Sequence, residues 1–410
     1  MNIPVFIARR IAFNRQRSFS RFIIRLATAA TALSVAAMII TLAFVNGFQR
    51  TVSQKVFSFW GHVRVQQFES YKALVAEETP LRQNDTVLQL LRQTPGVKQV
   101  QAFATKSAVI DKEQEIEGVL FKGVDSSYAF DNLAPFLTAG RWPDFKDSVY
   151  SKQIVISLTT ANQLNIKVND SVKVYFISPE TGRTSWRRLQ VSGIYKTGIE
   201  EYDNLFALGD IRLLRRINRW DNNEIGAYEL FLDDYKNMDP VSNALYDKLP
   251  DAWISRTIQE VYPNIFDWLK IQDVNRDVIF IVMSVVAIIN LITCLLILVL
   301  ERTRMVGVLK ALGMEDWSIQ SIFLYNTIII SGAGILIGLF TGVGLCLLQQ
   351  YTGLIKLDES AYSVSVAPVM IIWWQVLAVC AGTLFVCILS LILPTVFIKT
   401  IRPVKAIMFR

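Results

Sequence analysis

Four stretches of this chain contain no aspartate, glutamate, lysine or arginine: 26–49, 278–300, 317–355 and 360–398. About 20 apolar residues are enough to cross a bilayer as a helix. Only 19% of the whole chain is charged, against about 25% in soluble domains. A soluble core helix of such length without a single charge is rare. The four stretches therefore predict four membrane spans rather than an unusually apolar soluble core.

Basic residues flank the predicted spans. Residues 1–46 contain six arginines and no acidic residue, and the tail after the fourth stretch holds Lys399, Arg402, Lys405 and Arg410, again without an acid. Basic flanks mark the cytoplasmic side of a membrane protein. Both termini are therefore predicted to be cytoplasmic, and the net charge of +7 reflects membrane orientation rather than nucleic-acid binding.

The predicted fold is a membrane α-helical protein with four transmembrane helices and a large α+β domain inserted between helices 1 and 2, outside the cytoplasm. No breaker interrupts the helical pattern between 264 and 300, which predicts a stalk continuous with the second span. The predicted segments are a cytoplasmic amphipathic segment (1–21), helix 1 (22–47), the outer domain (48–260, with a subdomain at about 145–230), the stalk and helix 2 (261–300), a cytoplasmic turn (301–317), helix 3 (318–350), an outer loop (351–366), helix 4 (367–398) and a cytoplasmic tail (399–410).

The outer domain contains short alternating or β-branched runs separated by turn residues, a pattern typical of an α+β domain. The two runs on either side of 178–188 predict a hairpin with a projecting tip. Strands are predicted at 62–68, 97–110, 116–124, 153–156, 171–177 and 188–194. Helices are predicted at 86–92, 159–164, 211–216 and near 241–248.

Residues able to perform catalysis are scarce. The chain has no G-x-x-x-x-G-K-[ST] loop to cradle a nucleotide phosphate, and His62 is its only histidine. All four cysteines fall inside predicted spans, so they cannot form a zinc site with His62 in the outer domain. For the same reason, no disulfide is expected in the outer domain. The sequence therefore predicts no catalytic site, no metal site and no cofactor bound by this chain, so energy must come from a partner.

The predicted cytoplasmic turn carries a short amphipathic helix, E-R-T-R-M-V-G-V-L-K-A-L-G-M at 301–314. An ordinary positively charged loop explains its arginines but not its apolar ridge, formed by Met305, Val308, Leu309 and Leu312. A helix with such a ridge is suited to dock in a groove of another protein. The candidate docking residues are Glu301, Arg302, Arg304, Met305, Gly307, Leu309, Lys310, Leu312 and Gly313.

This segment resembles the coupling helix that sits on the ATPase subunit in the FtsX-like, MacB-type family of ABC transporter permeases. One departure is the Met305-Val306 pair, where the family usually has Glu-Ile. The tail I-R-P-V-K-A-I at 401–407 is also similar to that family. The segments F-V-N-G-F-Q at 44–49 and G-H-V-R-V at 61–65 resemble its lipoprotein-releasing branch, the LolC/LolE type.

The resemblance implies an inner-membrane subunit with a periplasmic outer domain. It implies as partners an ABC ATPase subunit that carries ATP and Mg, a second permease subunit in a homo- or heterodimer, a lipoprotein substrate, a periplasmic lipoprotein carrier and membrane lipid. Two other functions remain open at this point: a MacB-like efflux permease, or an FtsX-like transmembrane activator of a cell-wall hydrolase.

Further residues fit roles in such a machine, although plain helix packing or a solvated hairpin also explains them. Glycines at four-residue spacing favour close helix packing in lipid. The predicted helix-packing residues are Asn290 and Thr293, which would bond across the dimer, and Gly334, Gly338 and Gly342. The predicted acyl-chain cavity is lined by Phe44, Asn46, Phe48, Phe266, Leu269 and Ile279. The predicted carrier-docking residues at the hairpin tip are Arg183, Trp186, Arg187 and Arg188.

Overall fold

The computed structural model describes residues 19–69, 77–113, 115–145, 149–177, 182 and 184–390. The first 18 residues of the predicted amphipathic segment (1–21), the hairpin-tip residue Arg183 and the tail at 399–410 therefore lie outside the described residues. The chain divides into two compact units. The membrane unit comprises Met1–Arg50, Leu269–Lys356 and Val366–Arg410, and the sheet unit comprises Thr51–Trp268 and Leu357–Ser365.

The helices are defined as follows. They are α1 (Phe19–Trp60), α2 (Asp85–Gln93), α3 (Leu158–Gln163), α4 (Glu200–Leu205), α5 (Ile211–Asn218), α6 (Met238–Tyr246), α7 (Ile258–Val261), α8 (Pro263–Glu301), α9 (Thr303–Ala311), α10 (Asp316–Thr352), α11 (Glu359–Tyr362) and α12 (Trp373–Ser390).

The strands follow the same chain order. They are β1 (Val63–Gln67), β2 (Leu81–Arg82), β3 (Val97–Lys112), β4 (Glu115–Val124), β5 (Leu137–Gly140), β6 (Gln153–Ser157), β7 (Ser171–Ile177), β8 (Thr184–Tyr195), β9 (Phe206–Asp210), β10 (Glu224–Ile225), β11 (Ala227–Leu232) and β12 (Trp253–Thr257).

Three helices in the described part of the chain are long and apolar enough to cross a bilayer: Ile24–Trp60 within α1, all of α8, and all of α10. Helix α12 is apolar but shorter, and the remainder of the predicted fourth span, 391–398, lies outside the described residues. The number of four spans therefore stays a prediction. As expected, no break separates the predicted stalk from the second span, since α8 is one helix of 39 residues.

Helix α10 lies very close to α1 because its glycines have no side chain. A Cβ added to Gly334 would lie 2.8 Å from Cβ of Thr31, and one added to Gly338 would lie 2.6 Å from the carbonyl oxygen of Ala32. A Cβ on Gly342 would lie 3.1 Å from Cα of Ala36. The glycine stripe thus allows close packing of two apolar helices within the chain, the arrangement that small-xxx-small patterns favour in lipid.

The sheet unit is built on one sheet in which ten of the described strands take part, in the order β12-β1-β11-β3-β4-β9-β6-β8-β5, with β7 paired to β3 and β8. The pairs β4–β9 and β6–β8 are parallel, and the others are antiparallel. The predicted hairpin is confirmed as β7–β8. Strands inside 145–230 share this sheet with strands outside it, so these limits do not separate two sheets.

Candidate functional site

Helix α9 lies in the segment predicted to dock on a partner, and its ends follow from local sequence. Helix α8 ends at Glu301, and the Thr303 hydroxyl donates to the Leu300 carbonyl at 2.8 Å. At the other end, Gly313 has a φ of 83° and Met314 N–H donates to the Leu309 carbonyl at 3.0 Å. This left-handed glycine with a six-to-one hydrogen bond is a Schellman motif, which ends a helix sharply.

One side of α9 is part of the membrane unit's core. Val306 is fully buried in a cluster with Leu298 of α8 and Phe323 of α10, and Met305 and Leu309 pack against that cluster. The predicted apolar ridge is therefore divided between two faces. Met305 and Leu309 turn toward the protein because α9 must cover the ends of both neighbouring helices, and burying that apolar surface is favourable.

The other side of α9 is open. Val308 is 44% exposed and Leu312 is 79% exposed, while Arg304, one turn before Val308, is also exposed. Their four-residue spacing places them on one stripe of the helix. Trp317, the second residue of α10, is 71% exposed. We call Arg304, Val308, Leu312 and Trp317 the exposed stripe. Trp317 was missing from the predicted docking residues. Its position four residues after Gly313, which ends the docking segment, could have indicated it.

The remaining predicted docking residues differ in exposure. Glu301 and Gly313 are exposed, Arg302 is half-buried and Gly307 is buried. Lys310 is mostly buried, because its Nζ lies 2.9 Å from Oδ1 of Asp316. This ion pair links the end of α9 to the start of α10, so Lys310 holds the turn in place rather than presenting a charge outward.

The β7–β8 hairpin presents an aromatic and basic face. Trp186 pairs with Tyr175 across the hairpin, and Arg188 pairs with Lys173. Trp186 is 52% exposed and Arg188 is exposed as well. Arg187 points differently, since its Nη1 donates to the Trp186 carbonyl at 2.7 Å.

The six residues predicted to line an acyl-chain cavity are buried or half-buried within this chain. Phe48, Phe266 and Leu269 are each at most 5% exposed, and Phe44 stacks on Phe48 at 5.7 Å between centroids. The Asn46 amide donates to Oε1 of Gln375. These side chains therefore pack against other side chains of the protein. Ile279, on α8, is half-buried. Interhelical packing accounts for their burial within the chain, and the acyl-chain cavity that they would line stays a prediction.

A cavity of about 560 Å³ does exist in the membrane unit, but other residues line it. It lies among α1, α8 and α12, and none of the six predicted residues is on its wall. Its walls include Met38, Leu42, Arg276, Asp277, Phe280, Ala287, Trp374, Val379 and Gly382.

Asn290 and Thr293, the two polar residues of α8 that were predicted to bond across a dimer, have acceptors within this chain. Asn290 Nδ2 donates to the Ala27 carbonyl of α1 at 3.1 Å, and the Thr293 hydroxyl donates to the Ile289 carbonyl of its own helix at 2.8 Å. Both donors therefore find acceptors inside this chain, because a donor in an apolar helix takes the nearest available carbonyl. The bonds expected across a dimer stay a prediction.

A buried charged cluster lies where α1 meets the sheet. Lys122 Nζ donates to the Phe59 carbonyl, in the last turn of α1, at 2.6 Å and to Oε2 of Glu229 at 2.8 Å. Both side chains are fully buried, so burial lowers the pKa of Lys122 and raises the pKa of Glu229, while their mutual attraction opposes both shifts. Sequence reasoning missed this pair, although a single charge inside each apolar run, V-L-F-K-G-V and A-Y-E-L-F-L, could have indicated it.

A second ion pair lies against the first. Arg64 pairs with Glu78, and the Arg64 guanidinium lies over the rings of Trp60 and Phe103 at 5.0 and 4.7 Å. Nζ of Lys122 also lies 4.2 Å from the Trp60 centroid. Cations over aromatic faces are stabilised when they are desolvated. Among the described residues, no group of three or more His, Cys, Asp or Glu side chains is arranged to hold a metal ion.

Comparison with known proteins covers most of this chain. Residues 26–245 match the MacB-like periplasmic core domain, and residues 278–403 match the FtsX-like permease C-terminal. The lipoprotein-releasing system transmembrane protein LolE of Haemophilus influenzae is 22% identical to this chain over 99% of both chains. LolC of Neisseria meningitidis is 22% identical over 88% of both chains, and LolC of Xylella fastidiosa is 22% identical over 88% of this chain and 85% of its own length. The chain thus belongs to the family of ABC transporter permeases that combine a MacB-like periplasmic core domain with an FtsX-like permease C-terminal, and it is of the LolC/LolE type.

Proposed function

We propose that this chain is the permease subunit of an ABC transporter that extracts lipoproteins from the outer leaflet of the bacterial inner membrane and passes them to a periplasmic carrier. The names of its full-length relatives, which are lipoprotein-releasing system proteins, support this function. The apolar helices support a multi-pass position in the inner membrane. Both termini are cytoplasmic in this proposal, because the arginines of 1–46 and the basic tail flank the spans.

The observation that carries the proposal is the exposed stripe. An apolar, partly basic surface of this kind on a short loop helix matches a docking ridge for a groove in a partner. We assign that partner as a separate ATPase subunit that binds ATP and Mg, so this chain is a non-catalytic subunit. A second permease subunit completes the assembly, as a homo- or heterodimer.

Force applied to the exposed stripe has a direct route into the membrane. The opposite face of α9 is packed through Val306 against Leu298 of α8. Displacing α9 therefore displaces the adjoining end of α8, because close-packed interiors transmit strain. Helix α8 continues without interruption for 39 residues, or about 58 Å at ~1.5 Å per residue, and in this proposal it carries the motion toward the periplasmic domain.

The β7–β8 hairpin provides the proposed contact for the carrier. Trp186 and Arg188 form an exposed aromatic and cationic pair, the residue types most enriched at binding hot spots. We propose that these side chains, together with Arg183 and Arg187, contact the lipoprotein carrier.

The direct test is depletion of this protein in cells, followed by release of a radiolabelled lipoprotein from spheroplasts with and without the soluble carrier. We expect labelled lipoprotein to remain in the inner membrane after depletion even when the carrier is present. Unchanged release would contradict the lipoprotein function and favour the efflux or hydrolase-activating alternatives.

A pair of matched tryptophan substitutions separates the two proposed contacts. Trp317→Ala should reduce co-purification with the ATPase and lower ATP-driven release by tenfold or more, since a central tryptophan hot spot contributes about 2 kcal/mol or more. Trp186→Ala, the same change in the hairpin, should leave ATPase co-purification intact and impair only transfer to the carrier. Equal behaviour of the two variants in both assays would contradict the assignment.

A further inference from the structure

The cavity of the membrane unit has the size and lining of a small-ligand site. Its volume of about 560 Å³ lies within the range of ~300–1,000 Å³ that is usual for such sites. Met38 and Leu42 of α1, Phe280 of α8 and Val379 of α12 form apolar walls. A cavity with such walls between apolar helices is suited to a hydrocarbon chain.

The cavity is amphipathic along its length. The α8 residues that line it follow a helical spacing from Arg276 to Ala287, which corresponds to a rise of about 16 Å. That is roughly half of the ~30 Å hydrocarbon core of a bilayer. The charged residues lie only at the end nearer the start of α8, together with Trp374, which is 68% exposed. A tryptophan at the polar end is typical of the membrane–water interface.

The polar end carries opposite charges side by side. Arg276 Nε lies 2.9 Å from Oδ1 of Asp277, and Arg276 Nη1 lies 2.6 Å from Oδ1 of Asp273. The Asp277 side chain remains 65% exposed. One guanidinium between two carboxylates leaves this end of the cavity net negative, and the exposed Asp277 carboxylate complements the ammonium of a zwitterionic headgroup.

We propose that this cavity binds one acyl chain of a phospholipid with a zwitterionic, primary-amine headgroup, taken from the leaflet on the periplasmic side. The alternative occupant, an acyl chain of a triacylated lipoprotein, brings no ammonium to pair with the exposed Asp277 carboxylate. The proposal requires only that the chain spans the membrane, so it stands or falls separately from lipoprotein release.

Gly382 offers a way to fill the cavity without disturbing the fold. It lies on the cavity wall, and an added Cβ would meet no atom within 4 Å. Gly382→Leu therefore places a side chain in the space assigned to the lipid tail. Gly344→Leu is the matched control, because Gly344 of α10 also has no atom within 4 Å of an added Cβ and does not line the cavity.

The test uses the full-length protein in nanodiscs of phosphatidylethanolamine and phosphatidylglycerol. A trace of phosphatidylethanolamine with a diazirine in the middle of one acyl chain is photolysed, and adducts are mapped by mass spectrometry of peptides. We expect adducts on α8 and α12 near Ala287 and Gly382. Gly382→Leu should reduce them about tenfold, which corresponds to ~1.4 kcal/mol, and Gly344→Leu should leave them unchanged.

The headgroup assignment has its own measurement. Asp277→Asn should abolish the preference for the phosphatidylethanolamine probe over a phosphatidylglycerol probe with the same diazirine chain. Adducts spread evenly over all lipid-facing helices, with no effect of Gly382→Leu, would overturn the site. Displacement of the probe by a triacylated lipopeptide, but not by unlabelled phosphatidylethanolamine, would overturn the phospholipid as its occupant.

Discussion

Lys122 and Glu229 are the two fully buried charged side chains that join the end of α1 to the sheet. Taking two charges out of water is costly, and their attraction offsets that cost only when both are present with additional hydrogen bonds. Here Lys122 has the Phe59 carbonyl and the face of Trp60 in addition to Glu229. The pair therefore specifies how the helix end meets the sheet more than it adds stability.

Removing one partner of this pair should be severe. Lys122→Met removes the ion-pair partner of the buried Glu229, and we expect a loss of about 3–5 kcal/mol in the free energy of unfolding. The measurement is chemical denaturation of the full-length protein in detergent, with unfolding monitored by tryptophan fluorescence. The double variant Lys122→Met/Glu229→Gln, which removes the stranded charge, should recover much of that loss.

A control for the effect of charge removal itself is available in the same unit. Lys112 forms an ion pair with Asp170 at 2.5 Å, but both side chains keep contact with water. Lys112→Met should cost no more than about 1 kcal/mol. Equal destabilisation by the two lysine substitutions would show that burial of the Lys122 pair is not what makes it important.

His62 is a structural histidine whose protonation is suppressed. Its Nδ1 accepts a hydrogen bond from Leu232 N–H at 2.9 Å, and its ring packs against Phe57 at 4.4 Å between centroids. Burial lowers its pKa to about 4, against the ordinary value of 6.5. A proton on Nδ1 would remove the acceptor that the Leu232 N–H uses, so the folded state favours the neutral ring.

This shift predicts a pH dependence of stability. Between pH 6.5 and about 4, the unfolded chain binds a proton at His62 that the folded chain does not, so the free energy of unfolding falls as the pH falls through this window. The loss attributable to His62 is roughly 3 kcal/mol. Thermal unfolding from pH 7 to 4 should show a flatter decline for His62→Asn, whose Oδ1 can still accept from Leu232. Parallel curves for the two proteins would exclude this role for His62.

Helix α9 illustrates what an amphipathic pattern can and cannot predict. Its existence, its glycine end and its apolar character were readable from the sequence. The division of its apolar residues was not, because which side faces the protein depends on where α8 and α10 end. A helix with apolar residues on both sides has two candidate interfaces, and only the packing partners decide between them.

Two of the strands that were not predicted, β9 and β11, share a physical cause. Strand β9 is buried along its whole length and lies between β4 and β6, so it lacks the alternation of a half-buried strand. Strand β11 is likewise fully buried, with Glu229 in its centre. Strands with a water-exposed side, such as β7, show the alternating pattern and were predicted correctly.

The contact between α10 and α1 yields a prediction at the scale of elements. Gly338→Ala should destabilise the membrane unit, because the new methyl group would lie 2.6 Å from the Ala32 carbonyl oxygen and the backbone must move. Gly332→Ala on the same helix meets nothing within 4 Å and should be neutral or stabilising by up to about 1 kcal/mol. The measurement is the thermal unfolding midpoint of each full-length variant in detergent, and identical midpoints would contradict the close contact.

At the scale of the whole molecule, the class of protein was predictable and the interior arrangement was not. Apolar runs and basic flanks act through the bilayer, a solvent that imposes simple rules on length and charge. The Lys122–Glu229 pair and the cavity beside Phe280 instead depend on residues far apart in sequence. No local pattern encodes such a meeting, so only a structure reveals it.

Residues Leu357–Ser365, in the loop between α10 and α12, belong to the sheet unit although they lie in the last quarter of the chain. Lys55 Nζ donates to the Ser363 carbonyl at 2.6 Å, and Lys196 pairs with Glu359 at 2.5 Å across 163 residues of sequence. At roughly 5–20 residues per second, a ribosome needs about 8–30 s to reach Glu359 after Lys196. During biogenesis the newly exported domain therefore waits for these two contacts until α10 has been made, which makes completion of this fold a late event that follows membrane insertion.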